Sequence, residues 1–176
     1  MSAEIESLAP KGPELVRPPS ARLTWSVLIA GFALNLLPWS PALLVLRPDF
    51  VALGLLYWSV RQPLRIGMTV GLVLGLAADV GTGVLLGEHA LAYVFTAWAG
   101  EAMSRRLLAF KLWQQALQVF PVLFLTELIL LVAGMFAGKP VLEWGYLFSA
   151  IPGALLWPLL VRLLAGTRRA APGETA

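Results

Sequence analysis

Glu127 stands in a stretch, residues 122–132, whose other members are nearly all apolar. A carboxylate in such surroundings is costly unless it is solvated, paired or put to use. Asp79 and Asn35 raise the same question in other apolar segments. Polar groups of this kind can relay a proton, hold a ligand, grip a partner helix or close a hydrogen bond inside a helix bundle. For Glu127 a hydrogen bond to Asn35 is the structural alternative to a functional role. For Asp79, which comes just before Gly81-Thr82-Gly83, it is the capping of a polar turn. Covalent chemistry has no comparable set of residues. The chain has one histidine, His89, expected to be solvated in an external loop, and no cysteine, which rules out disulfides and thiolate chemistry. Phosphate-binding glycine loops and metal-ligand spacings are absent from the sequence. The residues point away from an enzyme and imply no cofactor and no metal.

The elements that must position these groups follow from composition and charge. Hydrophobic residues make up 59% and charged residues 13% of 176, where soluble domains carry about 25% charged. Eleven of the 13 Lys and Arg fall in four clusters. These are Lys11, Arg17 and Arg22; Arg61 and Arg65; Arg105, Arg106 and Lys111; and Arg162, Arg168 and Arg169. They occupy alternate gaps between apolar runs, and the intervening gaps hold only Arg47 and Lys139. A chain that weaves through a bilayer with its cytoplasmic loops held by cations gives this pattern. The basic balance therefore reads as topology and contact with anionic lipid head groups, not as nucleic-acid binding. Six spans, near residues 23–37, 49–60, 64–80, 84–103, 112–137 and 144–164, put both termini in the cytoplasm. Residues 1–21 and 166–176 are expected as cytoplasmic tails, the first disordered, around one transmembrane domain over 22–165.

The second span is short, about 18 Å as helix against a core near 30 Å. Residues 42–46 read as an interfacial or re-entrant piece, with the helix starting near Pro48 and Asp49 in its first turn, where the dipole favours an anion. Tyr57 and Trp58 read as an interfacial belt at its other end. Pro152 and Pro158 predict a bent sixth span, and Glu101 and Arg105 stand at ion-pair spacing. Gly67, Gly71 and Gly75 repeat every four residues, a small-residue face for close packing inside the chain or in a homodimer.

Several of these stretches together resemble the bacterial rod shape-determining family MreD. The resemblance runs through Arg47-Pro48-Asp49-Phe50, Tyr57-Trp58, Gly75-Leu76-Ala77-Ala78-Asp79, Gly83-Val84-Leu85-Leu86-Gly87 and Ala90-Leu91. It continues in Leu112-Trp113-Gln114-Gln115 and Leu156-Trp157-Pro158, and covers residues 22–164. It implies an all-α integral membrane protein of six transmembrane helices in the bacterial inner membrane. Its fold would be similar to the substrate-binding components of energy-coupling-factor transporters. The implied function is a non-enzymatic scaffold of the elongation machinery that builds the lateral peptidoglycan wall. The implied partner is the single-span protein MreC, and through it RodA, a class B penicillin-binding protein and, indirectly, MreB. The alternative is a binding or transport component for a small molecule or lipid-linked precursor. Asn35, Asp79 and Glu127 are the candidate functional polar residues. Arg47, Pro48, Asp49, Gly67, Gly71, Gly75, Gly83 and Gly87 are candidates for helix packing or partner contact.

Overall fold

The structure, a computed structural model, describes residues 20–40, 46–139 and 144–166. All regular structure among them is helical: α1 (Ala21–Leu36), α2 (Phe50–Arg61), α3 (Met68–Thr82), α4 (Glu88–Ala109), α5 (Leu112–Phe136), a 3₁₀ segment (Trp144–Ser149) and α6 (Ala150–Gly166). Apart from Ser20 and Ala21, which start α1, and Gly166, which ends α6, both expected tails lie outside the described residues, as does nearly all of the expected interfacial piece over 42–46.

Local chemistry sets the helix ends. Ser20 accepts from the Leu23 amide at the start of α1, and Leu37, extended at φ −62° and ψ 141°, precedes Pro38 as such a residue prefers. Asp49 caps α2 by accepting from the amides of Val51 and Ala52. Helix α3 ends in the left-handed Gly83, φ 68°, with the Val84 amide turned back to the Asp79 carbonyl. Such a stop suits glycine, which has no Cβ to clash. A second left-handed glycine, Gly87 at φ 110°, leads into α4. The fourth helix accordingly begins at Glu88 and not at 84, because two positive-φ glycines isolate residues 84–86 from both helices.

The six helices are unequal, from 12 residues in α2 to 25 in α5. Helix α5 and the segment Leu147–Ala165 are long and apolar enough to cross a bilayer; α1, α2 and α3 are shorter apolar helices. The expected bend at Pro152 is not required, since that residue falls in the first turn of α6, where a backbone donor has no helical acceptor. Pro158 lies inside α6 and Pro121 inside α5.

Helix α2 is the axis of the bundle. Residues Val51 to Val60 are all buried, as expected of a helix that is apolar on every side. It is flanked by α1, α4, α5 and α6. This corrects the expected interfacial belt: Tyr57 and Trp58 are fully buried. Their rings meet edge to face at 4.9 Å, Tyr57 also meets Trp157 at 6.0 Å, and the Arg61 guanidinium lies 5.0 Å over the Tyr57 ring. Aromatic residues at a span end look the same in sequence whether the end faces lipid or other helices. The outside of the bundle is apolar instead, with Val80, Leu117, Phe136 and Leu155 largely exposed.

Helices α3 and α4 form a close antiparallel pair. A Cβ at Gly71 would stand 2.6 Å from the Tyr93 carbonyl oxygen, and one at Gly75 would overlap the Ala90 backbone. That face is occupied within the chain, leaving no glycine seam on α3 for a second copy. Gly67 does not belong to it: it precedes the helix, and its nearest neighbour, the Pro63 carbonyl oxygen, is 3.6 Å away from a Cβ built there. Across the bundle, Thr96 of α4 and Thr126 of α5 share a hydroxyl hydrogen bond of 2.8 Å. Trp157 of α6 donates to Gln115 of α5 at 3.1 Å.

Candidate functional site

Asp49 is the junction of one end of the bundle. Its Oδ1 accepts from the amides of Val51 and Ala52 and from Asn35 Nδ2 at 2.7 Å. Its Oδ2 accepts from the Tyr93 hydroxyl at 2.8 Å. Asn35 in turn accepts from the Phe50 amide through Oδ1, and its carbonyl receives Arg47 at 2.8 Å. Three helices, α1, α2 and α4, are thereby pinned by one carboxylate. Pro48 is buried against α6 beside Gly153. The expected bond between Asn35 and Glu127 is not formed, because the start of α2 lies within reach of Asn35 and consumes both ends of its amide. Replacing Tyr93 with Phe keeps the buried ring and deletes one charge-assisted hydrogen bond. It should lower the stability of the purified protein by about 1.5 kcal/mol, read as a lower thermal midpoint in detergent.

Asp79 is fully buried and organises the turn between α3 and α4. Its Oδ2 accepts from the Gly87 amide at 2.7 Å, and its Oδ1 from the His89 amide at 2.7 Å and the His89 ring Nδ1 at 2.9 Å. His89 is therefore not a solvated loop residue; it sits in the first turn of α4, four-fifths buried against its carboxylate. Gly83 and Gly87 supply the backbone freedom that lets the turn close over Asp79. One residue earlier, Glu88 pairs with Lys139 at 2.6 Å, joining the start of α4 to the end of α5. Glu127 accepts from Ser149 at 2.7 Å and is 8% exposed. Glu101 and Arg105 are exposed and form no ion pair with each other among the described residues.

These groups surround a cavity of about 230 Å³. Asn35, Arg47, Asp49, Glu88, His89, Tyr93, Glu127, Lys139 and Ser149 provide polar lining, and Phe32, Leu36, Leu130, Leu131 and Met135 supply apolar wall. Asp79 stands behind His89. Gly67, Gly71 and Gly75 lie apart from the cavity, on the helix-packing side of α3 or before it. The structure thus brings Asn35, Arg47, Asp49 and Glu127 to one place, with Asp79 one residue removed. Arg47 and Lys139, the two cations outside the four basic clusters, line the same cavity.

Four lining residues were not legible from the sequence: Tyr93, Glu88, Lys139 and Ser149. Glu88 and Lys139 are 51 positions apart, and only the packing of α4 on α5 brings them together. The rarity of Lys139 as a cation on its side of the chain was the one available signal. Among the described residues no three His, Asp or Glu side chains are placed to hold a metal ion. The arrangement can bind a charged group and can tie helices together.

The family model of the rod shape-determining protein MreD matches residues 20–166. This chain belongs to the MreD family. The rod shape-determining protein MreD of Haemophilus influenzae is 28% identical over 144 residues, covering 82% of this chain and 89% of that protein. No solved structure matches. Membership in the MreD family places this chain's role in rod shape determination, and the match spans all six helices, the cavity included.

Proposed function

We propose that this MreD-family chain is a non-enzymatic scaffold in the inner membrane, where it partners MreC and organises lateral peptidoglycan synthesis. The observation that carries the reading is the family match over residues 20–166. RodA, a class B penicillin-binding protein and, indirectly, MreB would join through MreC. The topology is six spans with both termini in the cytoplasm, so that Arg61, Arg65, Arg105, Arg106 and Lys111 face inward and the cavity opens outward. Helix α2 then runs inward from Asp49, and its length of about 18 Å falls short of a bilayer core. It can do so because it is shielded from lipid, and the irregular backbone before it lies beside a cavity, where non-helical backbone at membrane depth is tolerated.

An outward cavity in a six-helix bundle is also what a likeness to the substrate-binding components of energy-coupling-factor transporters would require. For a scaffold, the same cavity is a seat for the membrane-proximal part of MreC outside the bilayer. Affinity purification of the full chain from its own cells in mild detergent separates the readings. Recovery of a single-span MreC protein in near-stoichiometric amount is expected. Recovery of an ATPase pair without it would replace the scaffold with a solute-binding transporter component.

A further inference from the structure

We infer that the cavity is built to receive a cationic group, an ammonium or guanidinium, at the end of a side chain from the single-span partner; this rests on the scaffold reading above. The argument is one of unmet donors and acceptors. Asp49 is saturated, with four donors on its two oxygens. Arg47 is engaged on the Asn35 carbonyl, and Lys139 is neutralised by Glu88. Among the described lining residues, two carboxyl oxygens remain without a donor. Glu88 Oε2 is buried and accepts a hydrogen bond from no described residue. Glu127 is 8% exposed, and Ser149 donates to Oε1 alone; the second oxygen accepts from no described residue.

Three carboxyl groups, Asp49, Glu88 and Glu127, thus line a cavity with two cations, of which Lys139 is paired with Glu88. Buried acceptors that lack donors are costly, and a buried carboxylate is stabilised by a paired, hydrogen-bonding cation.

Size and wall chemistry narrow the occupant. At about 230 Å³ the cavity lies below the range of about 300–1,000 Å³ typical of drug-sized ligands, and suits one long side chain. Leu130, Leu131 and Met135 provide apolar wall on α5 near Glu127. Lysine and arginine bury an apolar stem while presenting a charged head, and this combination matches apolar walls that end in carboxylates.

The test uses the full chain with its single-span partner, co-purified in mild detergent. Glu127→Gln keeps shape and hydrogen bonding but cannot ionise against a bound cation, and should weaken capture of the partner at least about tenfold, with Glu101→Gln unchanged. One basic residue in the partner's membrane-proximal segment, changed to Gln, should reproduce the loss in the unaltered chain, which covers the case of a poorly folded Glu127→Gln. Capture that is undiminished by Glu127→Gln and by every partner change overturns the cation site while leaving the scaffold standing. If the unaltered chain captures no partner, the scaffold reading falls, and agmatine, a small molecule with an ammonium and a guanidinium, decides the site. A thermal midpoint raised by agmatine in the parent but not in Glu127→Gln supports a cation site for a free ligand; no rise overturns it.

Discussion

Gly75→Ala should strongly destabilise the protein, although the same change in an ordinary helix is favourable. Alanine is better than glycine in a helix interior by about 1 kcal/mol, so propensity alone predicts stabilisation. The packing reverses the sign. A methyl group at position 75 meets the Ala90 Cα and amide nitrogen and the His89 carbonyl carbon, all backbone atoms of α4. Backbone cannot rotate aside as a side chain does, and the two helices must separate. Overpacking of this kind costs about 1–3 kcal/mol and sometimes more. The displaced residues include His89, which lies against the buried Asp79, so the turn would loosen with the helix pair. We expect a net loss of about 3 kcal/mol, a large part of a typical stability of about 5–15 kcal/mol. Gly67→Ala is the matched control. A Cβ there finds 3.6 Å to its nearest neighbour and should accumulate and melt like the parent. Thermal unfolding of both variants in the same detergent, with folded yield, checks the contrast; equal behaviour would mean that α3 and α4 are not packed this closely.

Asp49→Ala is expected to be comparably damaging for a different reason. The change removes the N-cap of α2, worth about 1 kcal/mol, and leaves two further donors, Asn35 Nδ2 and the buried Tyr93 hydroxyl, without their acceptor. Hydrogen bonds to a charged group contribute about 1.5–3 kcal/mol each, so the sum reaches about 3 kcal/mol or more even with partial rearrangement. Asp49→Asn should fall between the two. The side-chain oxygen can still cap α2 and accept from Asn35, but the amide group then faces the Tyr93 hydroxyl, which donates to the native carboxylate. The expected order of thermal midpoints is parent, Asn, Ala. An Ala variant as stable as the Asn variant would show that the capping oxygen Asn retains contributes little, and that loss of the native carboxylate accounts for the effect.

Both residues stood out in the sequence, Gly75 by four-residue spacing and Asp49 by its place after Arg47-Pro48. Their roles did not. Spacing says that Gly71 and Gly75 share a face, but a small-residue face serves a second copy as well as a neighbouring helix. Only the approach of α4 chooses between them. Gly67 continues the spacing yet falls outside, because α3 begins one residue later. Tyr57-Trp58 misled because an aromatic pair at the end of an apolar run is equally suited to the lipid interface and to the centre of a bundle. His89 misled because a lone histidine beside a glycine-rich turn reads as solvated, and only the closing of that turn sets it against the buried Asp79.

The sequence by itself determined what depends on composition and order along the chain. It specified a helical chain with six apolar segments, the places where capping residues, prolines and glycines end them, the alternation of basic clusters, and the family. These are local or cumulative properties, expressed wherever the segment sits. Tertiary structure alone decided which helix is central, that Asn35 serves Asp49 and not Glu127, that Asp79 closes a turn, and that Glu88, Lys139, Tyr93 and Ser149 join one cavity. Those facts depend on contacts between residues as far apart as 51 positions, and an apolar helix carries little record of which of its faces will meet which neighbour. The polar side chains, few and costly to bury, marked the site; the packing of the apolar helices determined which of them would meet there.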